Sequence, residues 1–176
     1  MQSSMLLLDD EPNLCRSLGR ALQRDDLRVD TFTDPAQAVD ATGRNTYALA
    51  LIDLLMPGMG GLDVLREIKR LSPETLVVIM TAYATVPTAV EAMRSGAFDY
   101  LQKPFTNDEA RHHVERALRH FHLEQENRDL RSQLADRYGM SNIVASSKAM
   151  GEVLRVVERV ANSSATVLLK IGRAHV

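Results

Sequence analysis

Tryptophan is absent from this 176-residue chain, and aromatic residues make up 5% of it. That leaves too few rings for the stacked platforms on which single-stranded nucleic acids lie. Cysteine occurs once, at Cys15, so no internal disulfide can form and a reducing compartment fits. No long apolar run opens the chain. Met5-Leu6-Leu7-Leu8 is too short for a signal peptide or a membrane span. An excess of one charge is missing too: Lys plus Arg is 21 against Asp plus Glu 23, a net charge of −2, which excludes a supercharged nucleic-acid binder. Hydrophobic residues at 45% and charged residues at 25% exclude a disordered tail. The expectation is a folded cytoplasmic protein with no membrane partner.

What is present is an alternation of short apolar runs and helical patterns. Met5–Leu8 is predicted as a buried strand ending in Asp9-Asp10-Glu11. Pro12 suits a first helical position, and Leu14, Leu18 and Leu22 follow at helical spacing. Arg28–Phe32 reads as a second strand, and Asp34-Pro35 opens a helix that Gly43 follows. Ala48–Ile52 is a third strand, ending at Asp53 before the breaker-rich loop Met56-Pro57-Gly58-Met59-Gly60-Gly61. A helix with Leu62, Leu65 and Ile68 on one face closes at Ser72-Pro73. Leu76–Met80 is a fourth strand ending at Thr81, Pro87–Met93 is a helix, and Tyr100-Leu101 is a fifth strand before Lys103-Pro104. Five continuous apolar strands alternating with helices predict an α/β fold, a doubly wound five-stranded parallel sheet.

From Asn107 the pattern stays helical to about Arg137, without proline or glycine. Leu123, Asn127, Leu130 and Leu134 are spaced four, three, four, a two-heptad seam with Asn127 at an a position. It reads either as a solvated helix leaving the domain or as the seam of a parallel homodimer whose register Asn127 sets. The homodimer is the expectation. Beyond Tyr138-Gly139, Ser147 is expected to cap a helix with Met150, Leu154, Val157 and Val160 on one face, and Thr166–Leu169 to form a strand. Residues 141–170 are too few to bury a core and are expected to begin a further domain. His112, His113, His120 and His122 lie in the fifth helix, where no carboxylate or cysteine completes a metal set, so they are expected to be solvated.

In a parallel sheet, ligands bind at the carboxyl ends of the strands near the switch in strand order. Here those ends carry Asp9, Asp10 and Glu11, then Asp53, Thr81 and Lys103. Carboxylates in one pocket repel each other and need a cation, and oxygen-only donors select Mg²⁺. Asp10 and Asp53 are the best direct ligands, Asp9 acts through water, and the backbone carbonyl of Leu55 adds a donor. Glu11 is expected to cap the following helix. Asp53 can attack phosphorus to form an aspartyl phosphate. Lys103, the Thr81 hydroxyl and the backbone N–H of Ala82 are placed to receive phosphoryl oxygens. Leu55 and Tyr83 flank the site with apolar bulk and are expected to slow hydrolysis of the acyl phosphate.

The stretches Leu7-Leu8-Asp9-Asp10-Glu11, Asp53-Leu54-Leu55-Met56-Pro57-Gly58-Met59-Gly60-Gly61, Met80-Thr81-Ala82 and Gly96 to Phe105 resemble, in order and spacing, a response-regulator receiver domain over residues 4–122. The resemblance implies a flavodoxin-like (CheY-like) fold, phosphorylation of Asp53 by a histidine kinase, and Mg²⁺ held by Asp10 and Asp53 with Asp9 in support. It implies a cis bond between Lys103 and Pro104. It also implies a switch in which phosphate draws Thr81 inward and Tyr100 rotates into the vacated space. Residues 107–137 would then be the fifth helix running on into a linker. Residues 141–170 resemble the start of the AAA+ domain of sigma-54-dependent (NtrC-type) activators. ATP, sigma-54 RNA polymerase and DNA are then expected only in the full-length protein, through C-terminal domains missing here.

This sequence departs from those patterns at Ala145, where glycine is usual, and at Ala110-Arg111-His112, where larger apolar residues are usual. After Leu169 no phosphate loop with its lysine follows, so no ATPase is expected, and residues 171–176 are expected to be a non-native tail. The chain is expected to be no enzyme beyond accepting its own phosphoryl group and slowly hydrolysing it. An aspartate-nucleophile phosphatase needs a second acid where Leu55 stands. The alternative function is a stand-alone phospho-regulated dimerisation or adaptor module.

Overall fold

The three inner apolar runs, over residues 5–8, 49–53 and 77–81, are buried on both faces of one sheet. A computed structural model describes residues 2–82, 85–138, 147–160 and 168. In chain order the elements are β1 (Ser3–Leu8), α1 (Pro12–Leu22), β2 (Leu27–Phe32), α2 (Pro35–Arg44), β3 (Leu49–Asp53), α3 (Gly61–Leu71), β4 (Leu76–Thr81), α4 (Val86–Arg94), β5 (Asp99–Gln102), α5 (Asn107–Tyr138) and α6 (Lys148–Val160). The five strands form one parallel sheet in the order β2-β1-β3-β4-β5. The chain winds outward from β1 to β2 and then returns to the other side of β1 at β3. The switch point therefore lies between the tips of β1 and β3.

Alternation along each strand feeds two cores. Met5, Leu7, Leu49, Leu51, Val78 and Met80 face one side, under α1 and α5. Leu6, Leu8, Ala50, Ile52, Val77 and Ile79 face the other, under α3. The departure at Ala110-Arg111-His112 does not spoil the fifth helix. Ala110, Val114, Ala117 and Leu118 are all buried against the first core, so Ala110 permits a close approach. Arg111 instead reaches across to the Ala21 carbonyl, and Arg24 pairs with Glu115 at 2.9 Å.

The chain divides into two compact units, Met1–Gln125 and Glu126–Val176. In the second, Ser147 caps α6 as expected, its Oγ accepting from the Met150 N–H at 3.2 Å. Ala145, the strand over Thr166–Leu169 (apart from Leu168) and the tail over 171–176 lie outside the described residues. No helix is long and apolar enough to cross a membrane among the described residues.

Of the α5 histidines, His112, His120 and His122 are exposed, as expected, while His113 is half-buried. His113 Nδ1 and an Arg116 N–H both meet Asp99 Oδ2, at the start of β5. The His120 ring lies 5.1 Å from that of Phe98, and His122 Nε2 is 2.9 Å from Ser3 Oγ. These contacts are long-range: this stretch of α5 packs along the sheet, and Ser3, Asp99 and Phe98 just before β5 supply partners that spacing within the helix does not reveal.

Candidate functional site

Period-two alternation sets the site. Along β1 the inward positions Met5 and Leu7 lead to Asp9. Along β3, Leu49 and Leu51 lead to Asp53, and along β5, Leu101 leads to Lys103. All three side chains are thus aimed to one face of the sheet, at its carboxyl end. The β4–β5 ladder continues one step beyond β5, with the Lys103 N–H donating to the Thr81 carbonyl at 2.8 Å. The Lys103–Pro104 bond is cis, as the resemblance implied.

Lys103 Nζ sits between two carboxylates, 2.6 Å from Asp9 Oδ2 and 2.7 Å from Asp53 Oδ1. Each acid's second oxygen is held by the backbone that follows it. Asp9 Oδ1 accepts from the Glu11 N–H at 3.0 Å, and Asp53 Oδ2 from the Leu55 N–H at 3.2 Å. Asp9 is fully buried and Asp53 is 4% exposed. Burial is the largest influence on Asp53 and pushes its carboxyl up, against the pull of the Lys103 ammonium. Burial opposes the charge on Lys103, but its hydrogen bonds to Asp53 and Asp9 outweigh that and hold the ammonium above the ordinary lysine range.

The other expected residues are placed as follows. Asp10 is exposed, next to the buried Asp9. Among the described residues, no group of three or more His, Cys, Asp or Glu side chains stands assembled around one cation position. The structure brings together Asp9 and Asp53 and gives them a lysine as their shared cation. Leu55 is 55% exposed, two residues beyond Asp53. Thr81 is fully buried at the tip of β4, and Ala82 is exposed. Thr81 and Ile79 share a face of β4, and Ile79 pairs with Tyr100, so Thr81 and Tyr100 stand on one common face. The Tyr100 hydroxyl is buried and has no hydrogen-bond partner among the described residues. Tyr83 lies outside the described residues. Glu11 holds the N-cap position of α1, but its side chain makes no capping bond. Its N–H is drawn to Asp9, which corrects the expected capping role.

Two features of the site carry no sequence signal of their own. Gly61, the first residue of α3, donates its N–H to the Leu54 carbonyl at 2.9 Å, so the helix start is pressed against the backbone that carries Asp53. The Cys15 thiol donates to the carbonyls of Asp9 and Phe32, each at 3.3 Å, tying α1 to the tips of β1 and β2.

In the exposed part of α5, Leu123 is 59% and Leu130 52% exposed, and Asn127 is exposed between them. The Leu134 side chain lies outside the described residues.

The model of the response regulator receiver domain family matches residues 5–115. The DNA-binding transcriptional regulator NtrC of Escherichia coli strain K12 is 37% identical over 163 residues, covering 93% of this chain and 34% of that protein. The C4-dicarboxylate transport transcriptional regulatory protein DctD of Pseudomonas aeruginosa is 35% identical over 169 residues, covering 96% of this chain and 37% of that protein. The crystal structure of NtrX from Brucella abortus in complex with ADP superposes with a TM-score of 0.68 at 31% identity, covering 92% of this chain and 34% of that one. The chain spans about a third of the length of these relatives. With the strand order β2-β1-β3-β4-β5 and an acid–lysine–acid site at its switch point, the chain belongs to the response regulator receiver domain family and is the receiver of an NtrC- and DctD-like two-component response regulator.

Proposed function

We propose that Asp53 accepts a phosphoryl group from a histidine kinase in a Mg²⁺-dependent step, and that this controls a sigma-54-dependent transcription activator. The observation that carries the proposal is the sharing of Lys103 by the buried Asp9 and Asp53. Three carboxylates (Asp9, Asp10, Asp53) and one ammonium leave two negative charges in this corner, which is the charge of one divalent cation. The donors are all oxygen, and Mg²⁺ takes one or two carboxylates while keeping several waters, so an unassembled set suits it. Asp10 and Asp53 would hold the ion, with Asp9 in support and the Leu55 carbonyl as a further donor. Bound there, it supplies positive charge to the phosphoryl oxygens.

An Asp53 oxygen attacks phosphorus, and the bond to the donor's imidazole nitrogen breaks, the electron pair leaving with the imidazole. The Lys103 ammonium, the Thr81 hydroxyl and the Ala82 N–H stabilise the oxygens in transit. Beyond this step and slow hydrolysis of the product, the chain catalyses nothing. Thr81 and Tyr100 form the switch, and their common face supports it. Differential contacts with the phosphate shift the population toward the state in which Tyr100 has turned.

Residues 4–122 are then the receiver and 107–137 its fifth helix running on into the linker, with Leu123, Asn127, Leu130 and Leu134 as a homodimer seam. Residues 141–170 begin an AAA+ domain. ATP, sigma-54 RNA polymerase and DNA belong to the further length of the relatives, in keeping with the ADP complex of NtrX and the DNA-binding description of NtrC. The setting is the cytoplasm.

The test is incubation with acetyl phosphate. In Mg²⁺ the intact mass is expected to rise by one phosphoryl group, and a chelator is expected to suppress the gain. Equal gain with the chelator present contradicts the metal-dependent step.

A further inference from the structure

We propose that the flanks of the linker seam carry a self-pairing charge code. With a second copy parallel and in register, Glu126 meets the partner's Arg131 and Arg119 meets the partner's Glu124. The inference rests on the dimer seam proposed above and deepens it by naming what selects the partner.

With Leu123 and Leu130 at d and Asn127 and Leu134 at a, the g positions are Arg119 and Glu126, and the e positions are Glu124 and Arg131. In a parallel pair each g residue faces the partner's e residue five positions on, and such pairs set partner choice and orientation. Both g–e combinations here are of opposite sign, and two-fold symmetry makes each occur twice. All four charged residues are exposed on α5, as are Leu123 and Leu130.

An antiparallel pair with the same residues in layers fares worse. Asn127 would face the partner's Leu130, leaving its amide without a partner as it is buried. Glu126 would face the partner's uncharged Gln133. Only the parallel pair sets Asn127 against its own copy and uses all four charges.

A two-heptad seam is short for an isolated coil, because nucleating a helix is costly. Here that cost does not arise afresh. α5 is one helix over Asn107–Tyr138, and its first half is already fixed by burial of Ala110, Val114, Ala117 and Leu118.

Sedimentation of the full chain tests the code. The wild type is expected to form a concentration-dependent dimer. Glu126→Arg or Arg131→Glu alone turns two attractive pairs repulsive and is expected to weaken self-association by roughly tenfold. An equimolar mixture of the two variants is expected to recover wild-type association, since every pair is then again opposite in sign. Unchanged association of either variant, or no recovery in the mixture, overturns the code.

Orientation is read by oxidative cross-linking. Leu123→Cys and Leu134→Cys are each expected to link to their own copy. Linking only when the two are mixed overturns the parallel arrangement. Cys15 does not compete, being buried, with its thiol pushed up to about 11 by burial first and then by the Asp9 charge. A wild type that stays monomeric at every concentration overturns the seam together with the code. Acetyl phosphate labelling of the same samples is expected to be unchanged in the charge variants, which keeps failure of the seam distinct from failure of the phosphoacceptor.

Discussion

Replacing Lys103 by methionine is expected to remove about 3 kcal/mol of folding stability and to slow phosphoryl acceptance about a hundredfold. Methionine keeps the length of the stem and deletes only the charge. Asp9 and Asp53 would then be two buried carboxylates facing each other without the ammonium that lies 2.6 and 2.7 Å from them. Removing one partner of a buried ion pair is costly because the other stays charged and desolvated. The same deletion takes from the transition state a donor aimed at the developing oxygen charge. Urea titration and an acetyl phosphate time course read the two effects separately. Adding Mg²⁺ is expected to return part of the lost stability, since it supplies charge to the same carboxylates. Adding Asp53→Asn to the variant is expected to do so as well, by removing one of the two charges. A stability change within about 0.5 kcal/mol, the range of an ordinary surface substitution, contradicts the shared-lysine account.

Gly61→Ala is expected to be similarly severe, at about 3 kcal/mol or more. A Cβ there would lie 2.2 Å from the Asp53 carbonyl oxygen and 2.8 Å from Leu54 Cα. These are backbone atoms, which cannot rotate away as a side-chain tip can. Either α3 moves off the sheet or the peptide carrying Asp53 shifts, so labelling is expected to fall along with stability. Gly43→Ala is the matched control. It sits in α2 with nothing within 4 Å of the added carbon, and it is expected to stabilise the protein by about 0.5–1 kcal/mol, the helical preference for alanine over glycine. A Gly61 variant within about 1 kcal/mol of the wild type would show that the helix start has room the geometry denies it.

The inner strands were legible because burial on both faces leaves continuous apolar runs, and every observed strand but one contains the whole of the predicted one. Ala48 is the exception: it precedes β3, which runs instead through Asp53. Strand tips were legible because polar residues break those runs, and this is why Asp9, Asp53, Thr81 and Lys103 stood out together. What the pattern could not give is which tips touch. The bond from Lys103 to Asp9 spans 94 positions of sequence. Nor could it tell that the lysine serves two acids at once while Asp10 faces solvent. Gly61 looked like one of several loop breakers, because a close approach of helix to strand tip depends on packing rather than on neighbours in sequence. The contacts of the α5 histidines were hidden for the same reason, their partners Asp99, Phe98 and Ser3 lying on or beside the sheet.

The proposed step is formation of an acyl phosphate on Asp53 itself. Its most direct test is borohydride reduction of the acetyl phosphate-treated chain in Mg²⁺, followed by peptide mass mapping, with Asp53→Asn treated in parallel. Reduction is expected at position 53 in the wild type, with no phosphoryl gain in the variant. Reduction mapped to Asp9 or Asp10, or an equal gain in the variant, would contradict that step.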